Sequence, residues 1–359
     1  MKDFMPLDQI EDWDRRLARQ DAFWRCAVLD RPVVAMQWPK EPPAHPWPID
    51  PPYACIRERW LDPQRAAAWA VASVRNTEYG GDALPHAWPN LGPEVFSAFF
   101  GQELEYTETT SWAKPCLFDW ADAERLRFSE DNPYWQALLT MTDALIDAGK
   151  DLFYTGLTDL HPGGDAIAAF RDPLELNTDL LLHPDAVRAL LDRVQETFFD
   201  VYDFFHNRLR GAKQAVCSWP GIVSSLRWHV PSNDFSCMVS KEMFDAFFLP
   251  GIAEECRRME ASIYHLDGPQ ALRHLDSLLE IPELNAIQWV YGAGNGRASD
   301  WMPVYQRCQA AGKGAQLFIE PDELDAVTAH LRPEGVWLGV AVRNREEAAA
   351  VLRRVARWK

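Results

Sequence analysis

The chain has 359 residues, of which 47% are hydrophobic, so it is long enough to enclose a large core. Its formal net charge of -17 repels the phosphates of nucleic acids and anionic membranes, which argues against both as partners. The N-terminal stretch lacks the apolar segment of a secretory signal, and no run approaches the roughly 18 apolar residues of a membrane span. Seven scattered cysteines without a Cys-x-x-Cys pair are typical of reduced thiols, so we expect a cytoplasmic protein.

The N-terminal part of the chain combines helical patterns with a proline-rich arm. Residues 1–30 read as helix, and a strand-like run follows at 31–38. The segment 39–52 holds seven prolines, which are incompatible with a regular helix and predict a loop or extended arm. A further helix is predicted at 62–77. We therefore expect residues 1–79 to be a helical and proline-rich extension that packs on a main domain, 80–359.

Short strand-like runs alternate with helical patterns through the rest of the chain. The eight runs are 83–90, 151–160, 214–221, 233–240, 262–268, 286–292, 315–321 and 336–342. The clearest helical pattern is 184–210, and others are predicted after Ser240 and over 345–357 with Asn344 as N-cap. This alternation predicts a (β/α)8 TIM barrel, with an open doubly wound sheet as the alternative.

Active sites of such barrels lie at the C-terminal ends of the strands, where side chains from distant parts of the chain meet. The candidates at these ends for substrate contacts are Asn90, His161, Trp219, Gln288, Trp289 and Tyr291. For the two tryptophans among them, simple packing is favoured over a ligand contact. Asp234 is a candidate catalytic acid in the run 233–240, although an aspartate there could instead cap a helix.

The stretch "YHLDGP" places a base and an acid at the end of one predicted strand. His265 and Asp267 are two residues apart and therefore face the same side of that strand, and a Gly-Pro turn follows at once. They could be metal ligands, with Glu320 as a third, because histidine with carboxylates is an acceptable zinc set. They could equally be a general acid/base pair, or they could contact a polar substrate without chemistry. The spacing does not choose between these readings.

Four blocks of the chain resemble the uroporphyrinogen decarboxylase superfamily, including its corrinoid- and thiol-directed methyltransferases related to cobalamin-independent methionine synthase. The blocks are "LPHAWPNLGPEVFSAFFG" (84–101), the segment 159–194, "SNDFSCMVSKEMFDAFFLPGI" (232–252) and "IYHLDGPQALRHLDSLLEI" (263–281). The resemblance implies a (β/α)8 barrel. It also implies methyl transfer between a small methylated substrate, such as a methylated amine or ether, and a thiol or a corrinoid carried by a partner protein. Zinc or another divalent metal would be the cofactor.

The sequence departs from that family in two places. In its zinc methyltransferases the ligand-bearing strand reads His-x-Cys, whereas this chain has His265-Leu266-Asp267. The basic N-terminal motif with which the decarboxylase grips substrate carboxylates has no counterpart in the segment 39–60. We therefore predict methyl transfer, with His265, Asp267 and Asp234 as catalytic residues. A metal-independent decarboxylase or lyase on a small cyclic acid stays open, as does a small-molecule-binding protein without chemistry.

Overall fold

The computed structural model describes residues 4–358 and combines a central sheet with many helices. The strands are Val33–Pro39 (β1), Thr77–Gly81 (β2), His86–Ala87 (β3), Leu104–Tyr106 (β4), Ser111–Ala113 (β5), Tyr154–Thr155 (β6), Val216–Cys217 (β7), Val223–Ser224 (β8), Trp228–His229 (β9), Ala261–Asp267 (β10), Ala286–Val290 (β11), Gly314–Ile319 (β12) and Val336–Val340 (β13). The helices are Trp13–Phe23 (α1), Ile56–Leu61 (α2), Pro63–Arg75 (α3), Val95–Ala98 (α4), Pro133–Ala148 (α5), Gly164–Arg171 (α6), Pro173–Leu182 (α7), Pro184–Gly211 (α8), Lys241–Met243 (α9), Leu249–Arg258 (α10), Leu275–Leu279 (α11), Met302–Ala310 (α12), Leu324–His330 (α13) and Arg345–Val355 (α14).

A seven-stranded sheet in the order β2-β1-β13-β12-β11-β10-β9 forms the centre of the molecule. All of its neighbours run parallel except β1 and β2, which are antiparallel. The pairs β3–β6, β4–β5 and β7–β8 lie outside this sheet. A parallel sheet brings the carboxyl ends of its strands to one edge, so the sequence-predicted site residues near the ends of β10, β11 and β12 lie towards that edge.

The long helix α8 illustrates how the sequence specifies its elements. Its buried residues recur at three- and four-residue steps, from Val187, Leu190 and Leu191 to Phe205 and Leu209, which forms one apolar face. Pro184 occupies the first turn, where its missing N–H has no partner to lose. The predicted helix 184–210 is confirmed to within a residue.

The strand predicted at 233–240 is wrong, because Asp234–Met238 forms a 3-10 helix. The apolar residues Phe235, Met238 and Val239 are spaced by three and four, which is a helical rather than an alternating pattern. The sheet takes its strand at this point from β9 instead. A bridge between Ser232 and His265 prolongs that pairing towards the edge where the site lies.

The α/β class is confirmed, and the other seven predicted strand runs each contain a strand in the structure. Closure into an eight-stranded barrel stays a prediction, as does a boundary at residue 79. The N-terminal segment nevertheless contributes β1 to the central sheet, where Val33 to Ala35 pair with β13. No helix within residues 4–358 has both the length and the apolar character that crossing a membrane would require.

Candidate functional site

A line of polar side chains within the sheet orients His265. The pairing of β10 with β11 sets His265 opposite Gln288, and His265 Nδ1 lies 2.5 Å from Gln288 Oε1. Gln288 donates in turn to Gln316 Oε1 at 2.8 Å, and Gln316 donates to the carbonyl of Pro220 at 2.9 Å. Because each amide uses its N–H₂ on the next partner, Gln288 presents only its oxygen to the imidazole. The proton of His265 therefore sits on Nδ1, and Nε2 is free to act as a ligand or base.

Asp234, His265 and Asp267 form the first group of side chains that the structure brings together. Each offers one ligand atom, and these atoms all lie within 4.8 Å of one another. His265 and Asp267 are on β10, whereas Asp234 opens the 3-10 helix that begins two residues after Ser232. Since Ser232 is bridged to His265, the backbone itself delivers Asp234 to the same edge.

His161, Asp165 and Asp234 form a second group, which shares Asp234 with the first and meets the same 4.8 Å limit. The His161 ring is held on both sides. Its Nε2 lies 2.8 Å from Asp159 Oδ1, and its Nδ1 lies 2.9 Å from Ser232 Oγ and 3.4 Å from Asp165 Oδ2. The five side chains of the two groups together (His161, Asp165, Asp234, His265 and Asp267) are called the His/Asp cluster below.

The electrostatics of the His/Asp cluster reflect crowded carboxylates, with the side chains of His161 and Asp165 largely buried and Asp234 exposed. Burial opposes a charge on His161, but the carboxylates of Asp159 and Asp165 outweigh it and hold the pKa of this ring well above its usual value. Burial likewise opposes a charge on Asp165, but hydrogen bonds from His161 and from the backbone N–H of Phe235 lower its pKa. Partial desolvation has the largest effect on Asp234, and the negative charge of the neighbouring Asp165 has the next largest. Together they raise the pKa of Asp234 to about 6.

The donor set of the first group fits a divalent cation. One imidazole nitrogen and two carboxylates are acceptable to zinc, and they are harder ligands than the thiolates of a cysteine-rich site. The bond from His265 to Gln288 is of the kind that orients metal-bound histidines in proteins. When bound, such an ion acts as a Lewis acid and lowers the pKa of a coordinated nucleophile.

Two cavities flank the His/Asp cluster. The larger encloses about 730 Å³ and is lined by Trp219, Tyr291 and Glu320 among other residues. The Trp219 ring packs edge to face on His265, with 4.9 Å between the ring centroids, so Trp219 separates this cavity from the cluster, no residue of which lines it. A second cavity of about 490 Å³ is lined by His161, Asp165 and Asp234 themselves, with Trp112 and Met238 at its wall. A small organic molecule fits either space.

Three of the sequence-predicted residues lie elsewhere. Trp289 alternates with Gln288 along β11 and is therefore turned away from the cluster, 3% exposed, with its ring 5.1 Å from that of Trp301. Asn90 accepts a hydrogen bond from the N–H of Gly92 and lines a separate cavity of about 290 Å³. Glu320 lies on the wall of the larger cavity but belongs to neither ligand group.

Other contributors to the site were absent from the sequence-based candidates. Gln316 orients His265 through Gln288, and Ser232 contacts His161. The sequence does contain a signal for Gln316, because it is a polar residue within an otherwise apolar strand. A glutamine buried there needs a polar partner. Ser232 has no such signal, because its contact with His161 depends on how distant segments pack.

The fold and the His/Asp cluster define an α/β protein with imidazole and carboxylate groups at the carboxyl edge of its parallel sheet. No protein-family model and no curated protein sequence matches the chain. A solved structure described as a methyltransferase from Methanosarcina mazei is similar to it, with a TM-score of 0.58 and 12% sequence identity. The similarity covers 95% of this chain and 98% of the other. At that identity the likeness is one of fold.

Proposed function

We propose that this protein is an enzyme that transfers a methyl group between a small methylated compound and a thiol or a corrinoid carried by a partner protein. The observation that carries the proposal is the meeting of Asp234, His265 and Asp267 within 4.8 Å, with Asp234 on the wall of a cavity of about 490 Å³ that can take a small substrate. The similarity in fold to a methyltransferase supports it. No residue of this chain is assigned to the corrinoid.

Two sets of residues would have two roles: one set would bind a cation, and the other would bind the substrate. His265, through Nε2, and the carboxylates of Asp267 and Asp234 would hold zinc or another divalent metal. The Gln288–Gln316 line keeps the imidazole in the tautomer that such binding needs. Trp219 and Tyr291 offer aromatic faces in the larger cavity, and such faces attract a methylated ammonium group by about 0.5–2 kcal/mol per ring.

We further propose that the strands close into a (β/α)8 barrel that places this site at its mouth. Backbone bonds outside the seven-stranded sheet support closure. Leu157 N–H donates to Cys217 O and thereby links the segments of β6 and β7. The parallel pairing of β3 with β6 adds the preceding segment to the same row.

A second candidate function follows from the chemistry of Asp234. A carboxyl group with a pKa of about 6 is partly protonated near neutral pH and is suited to donate a proton. A decarboxylase or lyase on a small cyclic acid would use it to protonate the carbon from which a carboxylate leaves. This reaction requires no metal, so the two candidates differ in their dependence on a bound ion.

The test combines metal analysis with a transfer assay on protein purified without chelators. The full chain is assayed with methylated amines and methyl ethers as donors, and with a small thiol or reduced free cobalamin as acceptor. We expect His265→Ala and Asp267→Ala each to lose the metal and to lower transfer by about 10²-fold or more. Asn90→Ala, which lies outside the cluster, is the control and retains both. Variants at 265 and 267 that keep full metal content and activity would contradict the proposal, and metal-free protein that decarboxylates a cyclic acid would favour the lyase.

A further inference from the structure

We propose that the His/Asp cluster holds two divalent cations bridged by the carboxylate of Asp234. The first is the cation assigned above to His265, Asp267 and Asp234, so the inference rests on the proposed function. The second would be bound by His161, Asp165 and Asp234. Both take a metal that accepts imidazole and carboxylate ligands, such as Zn²⁺ or Mn²⁺.

The shared position of Asp234 is the first observation behind this inference. The two groups of ligand atoms each lie within 4.8 Å, and Asp234 belongs to both. A carboxylate has two oxygens and can give one to each of two ions. Two-metal centres in enzymes hold their ions about 3.5–4 Å apart, a separation that one bridging carboxylate spans.

The two histidines are prepared for this role in the same way. His161 has Nε2 at 2.8 Å from the carboxylate of Asp159, and His265 has Nδ1 at 2.5 Å from the amide oxygen of Gln288. In each case an outer partner binds one ring nitrogen, as it does in metal-bound histidines. The other nitrogen of His161 is Nδ1, which lies 3.4 Å from Asp165 and 2.9 Å from Ser232 Oγ, a contact that a bound cation would replace.

The region holds enough carboxylates to neutralise two divalent cations. Four carboxylates surround the two rings: Asp159, Asp165, Asp234 and Asp267. Across residues 4–358 none of the four forms an ion pair with a lysine or arginine. Two divalent cations carry as many positive charges as the four carboxylates carry negative ones.

Metal stoichiometry on the folded full-length chain tests the inference without reference to activity. Protein stripped with a chelator is dialysed against Zn²⁺, and bound zinc is measured by elemental analysis. We expect two zinc ions per chain for the wild type and one for His161→Ala. Asp165→Asn keeps the oxygen that accepts from Phe235 N–H and is a milder variant at the same position, also expected to bind one. His330→Ala removes an exposed histidine on α13 and controls for adventitious binding.

The outcomes separate this inference from the proposed function. One zinc in the wild type that persists in His161→Ala and disappears in His265→Ala overturns the second cation but leaves the first site standing. Two zinc ions that are unaffected by both His161→Ala and Asp165→Asn overturn the assignment of the second position. No bound zinc in any protein overturns both cation sites. With Mn²⁺ in place of Zn²⁺, a spin-coupled pair signal in electron paramagnetic resonance is expected, and two uncoupled ions would contradict the bridge.

Discussion

At the scale of single residues, Gln288 is the side chain on which the orientation of His265 depends. Gln288→Leu removes the acceptor for His265 Nδ1–H, and we expect zinc affinity to fall by about 10- to 100-fold, the usual effect of losing an outer partner of a metal-bound histidine. Nitrogen-15 spectra of the metal-free protein should show the ring shift from the Nδ1–H tautomer to a mixture.

Gln309→Leu is the matched control for Gln288→Leu. Gln309 is also a buried glutamine, but its amide donates to the carbonyls of Arg332 and Glu334, which belong neither to the His/Asp cluster nor to the two cavities beside it. Its loss should cost stability and leave zinc affinity and the His265 tautomer unchanged. Equal effects of the two variants on zinc would show that Gln288 has a general structural role only.

The same scale shows what sequence patterns can and cannot give. His265 and Asp267 lie together because a strand repeats every two residues, which the sequence displays directly. Asp234 and His161 join them from segments that lie 31 and 104 residues before His265 in the chain. No local pattern encodes such a meeting, because it depends on the packing of the 3-10 helix at 234–238 against the end of β10.

At the scale of elements, the carboxylate of Asp82 connects α1, β1 and the segment between β2 and β3. Asp82 is fully buried, pairs with Arg19 and Arg31, and also accepts from the N–H of Val34. Asp82→Asn would leave both guanidinium groups without their buried partner, and we expect it to lower the free energy of unfolding by about 3–5 kcal/mol, as measured by urea denaturation.

Asp147→Asn is the comparison for the Asp82 variant. Asp147 pairs with Lys150 on the surface, where the two side chains are 75% and 69% exposed, so its loss should cost less than about 1 kcal/mol. A cost for Asp82→Asn as small as that for Asp147→Asn would mean that the N-terminal helix is not tied to the sheet by this carboxylate.

Secondary-structure elements were predictable from the sequence where their hydrophobic pattern repeats over many residues. Helix α8 spans 28 residues, enough repeats for its apolar face to be read from the sequence. The run 233–240 is short, so the helical spacing of Phe235, Met238 and Val239 covers only a single turn, and here the prediction failed. The pairing of β1 with β13 joins the two ends of the chain and has no local signal at all.

At the scale of the whole molecule, buried neutral histidines make stability depend on pH. The ring of His274 is fully buried, donates from Nε2 to the carbonyl of Ser236 at 2.9 Å and stacks on Phe244. Burial lowers its pKa below the usual value near 6.5. As pH falls below about 6.5 the unfolded chain takes up a proton that the folded protein does not, so the free energy of unfolding decreases.

His274→Gln isolates this contribution. We expect its free energy of unfolding to fall less steeply than that of the wild type between about pH 7 and pH 5, because the variant has one fewer group that titrates differently in the two states. Urea denaturation across this range measures both slopes. Parallel slopes would show that His274 does not contribute, since the remaining buried histidines, among them His86, are common to both proteins.

The sequence by itself determined the α/β class, most of the strands and the pairing of His265 with Asp267, because these follow from periodicities of two and of 3.6 residues along a continuous segment. Tertiary structure alone decided that Asp234 stands between two histidines, that Gln316 orients one of them from two strands away, and that Trp289 faces elsewhere. These outcomes depend on strand register and on the packing of segments distant in the chain. A shift of one residue in register would turn every side chain to the opposite face, and such a shift is selected by the whole core rather than by any short stretch.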